Sequence, residues 1–311
     1  RQHALMQEAA EALIADIPRV PPASPPQTVT DDLCACYVLS DYHLGQLSYA
    51  PETGDDWDTD MAEQMVAQWF GAAIDSAPKA HTGVLAQLGD FMHHDGVALE
   101  AITPTSGNIL DADTRFQRLV RVAVRSLRRT IDMMLAKHQH VHVLLCEGNH
   151  DMSSSVWLRE MFAALYHQEP RVTVDTTPSP FYCFHWGRTM LGFHHGHKVK
   201  MADLSKSLVG KFPEVYGQTT YRYGHSGHLH HVADIHVHGR GVAVENENAF
   251  RGRGIPIGIR VLLLQVEAPK IARGIRVAIL EIADDRRLDG HDLTVERACV
   301  ARALHRADQD R

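Results

Sequence analysis

The chain has 311 residues, 44% hydrophobic and 22% charged, enough to bury a substantial core in one or two domains. Its formal net charge of −7 argues against broad, non-specific binding to nucleic acid and leaves room only for a local basic groove. Five cysteines without regular spacing do not suggest a disulfide framework, no apolar run reaches the length of a membrane span, and there is no signal-peptide pattern, so a cytoplasmic protein with no membrane partner is expected.

Residues 4–17 have helical spacing, and the Pro-rich stretch PRVPPASPPQTVTDD follows them. Residues 1–29 are therefore read as an N-terminal helix and connector. Residues 33–39 form the first core strand, which ends in Ser40-Asp41-Tyr42-His43; Cys34 and Cys36 on it are read as small buried hydrophobes. The acidic run PETGDDWDTD enters a helix capped by Asp58 or Thr59 and extending to about Ala73. Residues 84–88 form a second strand, ending in Gly89-Asp90-Phe91-Met92-His93-His94-Asp95. After a polar loop, a long helix is expected from Asp111 or Asp113 to about Lys137. Its Arg118, Arg121, Arg125 and Arg128 lie on one stripe, read as a solvated face, with contact to a phosphate backbone as the alternative. His138, His140 and His142 are expected on one strand face. The apolar run 141–145 then breaks into Gly148-Asn149-His150-Asp151.

A helix carrying Trp157, Leu158, Met161 and Phe162 comes next, followed by short strands at 172–174, 181–186 and 189–193. The last of these ends in His194-His195-Gly196-His197. A helix and turn over 201–215 precede a strand at 219–223, which leads to Gly227-His228-Leu229-His230, and residues 232–244 alternate like strands. Residues 30–250 are therefore read as the main domain and 251–311 as a C-terminal extension packed on it. The extension has strands within 255–266 and 275–282, and an amphipathic helix over 295–304. That helix is read as core-packed, with a homodimer element as the alternative.

Histidine is the compositional outlier, with 22 residues, many just after apolar runs. Five polar clusters each follow a strand, and together they offer carboxylates, an amide and imidazoles. Such a mixed set suits two borderline divalent ions, Mn²⁺ first and Fe²⁺, Zn²⁺ or Ni²⁺ as alternatives; the absence of a thiolate weakens a structural zinc reading. In Asp41-x-His43 and His228-x-His230 the one-residue gap puts both side chains on one side of an extended backbone. Two metals about 3.5–4 Å apart clamp a phosphoryl group and activate water between them. Asp90 is the candidate bridge. His150 is the candidate general acid, with Asp151 placed to orient its ring.

This set, in this order, resembles the calcineurin-like metallophosphoesterase superfamily over roughly residues 33–250. The resemblance implies an α/β fold of four layers, α-β-β-α, with a dimetal site at the strand ends. It implies one ion on Asp41, His43, Asp90 and His230, and a second on Asp90, Asn149, His195 and His228, with His150 as catalytic histidine. GDFMH is similar to the GDxxH motif of double-strand-break-repair nucleases, which makes His93 a second catalytic candidate. The segment from LSDYHLG through GNHD also resembles phage and prophage metallophosphoesterases. Three functions follow in order. The first is a dimetal phosphodiesterase of the nuclease type acting on DNA through a metal-bridging hydroxide. The second is a phosphodiesterase or phosphomonoesterase for small nucleotides. The third is a non-catalytic metal-bound scaffold, against which the complete ligand set argues.

Overall fold

The computed structural model describes residues 24–96 and 100–229 and, beyond them, the backbone of five more strands. The expected helix over 4–17 and residues 18–23 of the Pro-rich stretch lie outside the described residues, as does much of 232–244. In chain order the described elements are β1 (Thr30–Leu39), α1 (Ala50–Thr53), α2 (Thr59–Ser76), β2 (Ala80–Gln87), α3 (Phe116–Lys137), β3 (His140–Leu145), α4 (Met152–Leu165), β4 (Val172–Val174), β5 (Tyr182–Trp186), β6 (Thr189–His194), α5 (Met201–Lys211), α6 (Pro213–Gln218), β7 (Tyr221–Ser226), β8 (Asp234–Ile235), β9 (Ala243–Asn246), β10 (Ile259–Gln265), β11 (Ala278–Ile282) and β12 (Cys299–Ala303). Among the described residues these strands make one sheet ordered β12-β11-β10-β1-β2-β3-β4 and another ordered β5-β6-β7-β9-β8.

Three apolar clusters stack these elements into four layers. On β1, Ala35, Tyr37 and Leu39 face one cluster with Trp69 and Phe70 of α2, Leu127 and Ile131 of α3, and Phe162 of α4. The alternate residues Cys34, Cys36 and Val38 face the second sheet, where Tyr182, Leu191 and Phe193 meet them. On the far side of that sheet Met190 packs against Leu204 and Leu208 of α5. The order is therefore helices, sheet, sheet, helix, an α/β fold of the α-β-β-α kind. Strands buried on both faces have no polar side to show, so β1 reads as a continuous apolar run.

Long-range capping moves several boundaries. Asp58 caps α2 by accepting the Met61 N–H at 2.7 Å. Asp113 was expected to start the next helix, but its carboxylate accepts the Thr59 N–H at 2.7 Å, at the head of α2. With that group engaged elsewhere, α3 begins after Arg115. The arginine stripe of α3 turns to α2: Arg118 pairs with Asp60 at 2.6 Å, Arg125 pairs with Glu63, and Arg128 pairs with Asp132 on its own helix at 3.8 Å. At the far end, strands β10 to β12 extend the first sheet antiparallel from β1. The helix expected over 295–304 is replaced there by β12. A short apolar run fits helix and strand patterns alike, and pairing with β11 supplies the ladder that decides it. Among the described residues no helix is long and apolar enough to cross a membrane.

His138 leaves the strand face expected for it. It ends α3, fully buried, with Nδ1–H donating to the Ala80 carbonyl at 2.9 Å and Nε2 accepting the Tyr37 hydroxyl at 2.7 Å. Both nitrogens are satisfied by the neutral ring, and burial pushes the imidazole down to about 4. The unfolded chain takes up a proton near pH 6.5 that the fold refuses until about pH 4. Stability is therefore complete above pH 6.5 and falls as pH drops through that window, by about 3 kcal/mol at its lower end. Denaturant unfolding at pH 7 and pH 4.5 should show a smaller acid loss for His138→Gln than for the unmodified chain; equal losses would remove His138 as the sensitive group.

Candidate active site

Strands β1, β2 and β3 end level with one another, with Leu39 opposite Gln87 and Gln87 opposite Leu145. Their loops carry residues 40–43, 89–95 and 148–151. From the second sheet, β6 and β7 end together at His194 and Ser226, and deliver His195 and His228. The first two loops are laced by main-chain bonds, Asp41 N–H to Gly89 O at 3.1 Å, His43 N–H to Asp90 O at 2.9 Å and His93 N–H to Leu44 O at 2.9 Å. That lacing holds a strained backbone. Asp41, His43, Asp90 and His228 all have left-handed φ, at 51°, 50°, 51° and 74°. Each such residue costs about 1–3 kcal/mol, and the strain collects where side chains must converge.

The side chains do converge. His195 Nε2 lies 3.0 Å from Asp90 Oδ2, 3.2 Å from Asn149 Oδ1 and 4.0 Å from Asp41 Oδ1, while its Nδ1–H donates to the Leu88 carbonyl at 3.0 Å. The Asp41 carboxylate accepts the His228 N–H at 3.0 and 3.1 Å and also the Ser40 hydroxyl. Ligand atoms of Asp41, His43 and Asp90 lie within 4.8 Å of one another, as do those of Asp90, His195 and His228. Asp90 belongs to both groups.

The electrostatics fit divalent ions. Asp41 and Asp90 are 3% and 1% exposed, and two buried carboxylates side by side call for positive charge between them. In the protein alone His195 answers that call. Burial pushes its imidazole down, but the hydrogen bond and charge of Asp90, with Asp41 and Asp151 behind it, raise it to about 9. Burial pushes the Asp90 carboxyl up, and His195, with His43 and His150, pulls it well below the usual carboxylate range. An ion and the His195 proton would compete for one lone pair. His195 already has the supporting bond of a ligating imidazole, its other N–H on a main-chain carbonyl. Carboxylate, amide and imidazole donors together suit borderline divalent metals.

Beside these groups stand His93 and His150. The His150 N–H donates to Asp90 Oδ1 at 2.8 Å, and its ring Nδ1 contacts the His93 carbonyl at 2.8 Å. His93 Nδ1 lies 3.3 Å from His43 Nδ1. Burial, with His150 and His94 beside it, pushes the His93 imidazole down to about 3.

The role expected for Asp151 is corrected. It was expected to orient the His150 ring, but that ring is held by the His93 carbonyl. Asp151 is fully buried and accepts main-chain N–H groups of Asp90 at 3.2 Å, Phe91 at 2.8 Å, Met92 at 3.2 Å and Gly148 at 2.9 Å. Burial and the neighbouring Asp90 push its carboxyl up to about 7. It is a clamp between two loops, turned toward the main chain because a run of N–H groups converges there.

Of the residues singled out from sequence, the structure brings together Asp41, His43, Asp90, His93, Asn149, His150, His195 and His228. His230 lies outside the described residues. The alternative to His195, His194, turns away and stacks on Phe181 with ring centroids 4.5 Å apart. Sequence reasoning missed Asp95, which is buried and accepts the Ser153 and Ser154 N–H groups at 2.7 Å, capping α4 from a distant loop. A cap supplied across the fold leaves no local spacing to find. Lys198 pairs with Glu147 and links the two loops that carry His195 and Asn149.

No protein-family model matches the sequence, and no curated protein matches it. Solved structures with a similar course of the chain include a conserved protein of Streptococcus pneumoniae described as a predicted phosphoesterase, at 11% identity, covering 80% of this chain and 89% of that one with a TM-score of 0.36. A Vps29 from Entamoeba histolytica complexed with zinc shares 12% identity, covering 81% and 94% with a TM-score of 0.34. The phosphoesterase YfcE of E. coli shares 15%, covering 74% and 91% with a TM-score of 0.33. At such scores these likenesses carry no weight, and the functional reading rests on the side chains themselves.

Proposed function

We propose that the protein is a dimetal-dependent phosphoesterase that hydrolyses phosphodiester bonds, with DNA as the first substrate to test and the cytoplasm as its setting. The observation that carries this reading is the position of Asp90 in two groups of metal-capable donors, with His150 bonded to the same carboxylate. Two divalent ions, Mn²⁺ first and Fe²⁺, Zn²⁺ or Ni²⁺ as alternatives, would be held by Asp41, His43 and Asp90 with His230, and by Asp90, Asn149, His195 and His228. Such ions supply Lewis-acid charge against the phosphoryl group and make water acidic enough to attack near neutral pH.

The chain's own groups do the rest. With His150 Nδ1–H donating to the His93 carbonyl, the ring is fixed and Nε2 is the atom that hands a proton to the leaving oxygen. His93, stacked 5.5 Å from His150, stands beside the same oxygen as a hydrogen-bond partner. Asp151 acts through the main chain by holding Asp90 in place.

A specific observation favours small nucleotides as a second reading. Two of the four arginines that would line a polynucleotide groove, Arg118 and Arg125, are paired with Asp60 and Glu63, and the loop at Asp111 runs along Leu47. End-labelled single- and double-stranded DNA with Mn²⁺ decides between them. The unmodified chain should release label in a metal-dependent way. His150→Ala should keep its metal and turn over about a hundredfold more slowly; unchanged turnover would remove its role. Intact DNA with cleavage of a small nucleotide diester would move the substrate to the second reading. Two bound ions with no phosphoester cleaved would leave only the scaffold.

A further inference from the structure

His43, His93 and His150 make a donor set of their own, free of carboxylates. One ring nitrogen from each lies within 4.8 Å of the other two. The Nδ1 atoms of His43 and His93 are 3.3 Å apart, long for a hydrogen bond. Two nitrogens bound at about 2.0–2.1 Å to one tetrahedral ion stand roughly 3.3 Å apart, so this spacing is already that of a tetrahedral edge. The His150 ring closes the third side, with its centroid 4.7 Å from His43 and 5.5 Å from His93.

The supporting contacts are those that ligating imidazoles make. His150 Nδ1 rests on the His93 carbonyl at 2.8 Å, which leaves its Nε2 lone pair for a ligand. Three imidazoles without a carboxylate serve oxygen-preferring ions poorly and borderline ions well, and the order of affinity places Zn²⁺ and Ni²⁺ above Mn²⁺.

We propose that His43, His93 and His150 form an inhibitory site for a borderline divalent cation, Zn²⁺ first, which shares His43 with the Asp41–Asp90 group: the His43 ring would release its N–H proton to solvent and bind one ion through each nitrogen. The inhibitory part rests on the phosphoesterase reading above, because an ion on His150 Nε2 removes it from proton transfer. The binding part does not.

The test counts ions on protein saturated with Mn²⁺ and titrated with Zn²⁺, by equilibrium dialysis and elemental analysis without substrate. The unmodified chain should reach three ions, with the third being zinc, and cleavage should slow as that third ion binds. His93→Gln and, separately, His150→Asn should stop at two ions, or bind the third at least tenfold more weakly, while circular dichroism and the first two ions report an intact fold. Slowed cleavage with the total fixed at two ions would overturn the proposal, since zinc would then be replacing manganese around Asp90. A third ion that binds the variants as tightly as the unmodified chain would overturn it as well. The two readings fail separately: a third zinc without any phosphoester cleavage removes the proposed function, and cleavage with only two ions removes this site.

Discussion

Asp90→Asn should remove at least one bound ion and lower turnover by about a thousandfold or more, beyond the roughly 10–100-fold typical when only a supporting partner of a ligand is lost. The substitution keeps shape and removes charge. An Asn can still accept the His150 N–H that now reaches Oδ1 at 2.8 Å, so the loop has no steric reason to move. It cannot supply the negative oxygen that faces His195 Nε2 at 3.0 Å, nor serve both donor groups to which Asp90 belongs. Elemental analysis of the purified protein and turnover at saturating Mn²⁺ check the two parts independently. Full retention of two ions would remove Asp90 as the shared ligand. His150→Ala predicts the opposite pattern, low turnover with metal retained, so the pair of variants separates the group that holds ions from the group that moves protons.

What the sequence shows of this site follows from locality. An apolar run that stops at Gly and a polar cluster marks the end of a buried strand, and β1, β2, β3, β6 and β7 each announce their functional residues in that way. The choice of His195 over His194 follows from alternation along β6 with Gly196 after it, and the structure turns His195 to Asp90 and His194 to Phe181. Interactions closed across the fold are not legible. A carboxylate next to a helix start reads as that helix's cap, yet Asp113 caps α2 and Asp95 caps α4, each from more than fifty residues away. Asp151 reads as a partner for the adjacent His150, but the N–H groups it serves lie mainly on the loop after β2. His138 reads as part of a strand face because its true partners, Tyr37 and Ala80, belong to other strands. The last strand fails for a different reason: over five residues the helical and extended patterns do not separate, and only the edge of β11 tells them apart.

Gly148→Ala should cost about 3 kcal/mol or more of stability and at least a hundredfold in turnover, with loss of metal. Gly148 is needed for space, since its φ is not left-handed. A Cβ there would overlap Asp90 Oδ1 and the Asp90 main-chain nitrogen. The main-chain nitrogen cannot step aside. One oxygen of Asp151 accepts both the Gly148 N–H, at 2.9 Å, and the Asp90 N–H, at 3.2 Å, so the two loops part only by breaking a buried clamp. Any relief must therefore come from displacing the Asp90 carboxylate, and a displacement of about 1 Å in a reacting geometry is worth about a hundredfold in rate. Gly71, inside α2, is the contrast, because a Cβ there meets nothing within 4 Å. Gly71→Ala should gain about 0.5–1 kcal/mol through the ordinary helical preference for Ala. Denaturant unfolding and metal content of the two variants side by side give the answer. Full stability and full metal content in Gly148→Ala would mean that the loops after β2 and β3 yield to a methyl group, and that Asp90 is not pinned between Gly148 and Asp151.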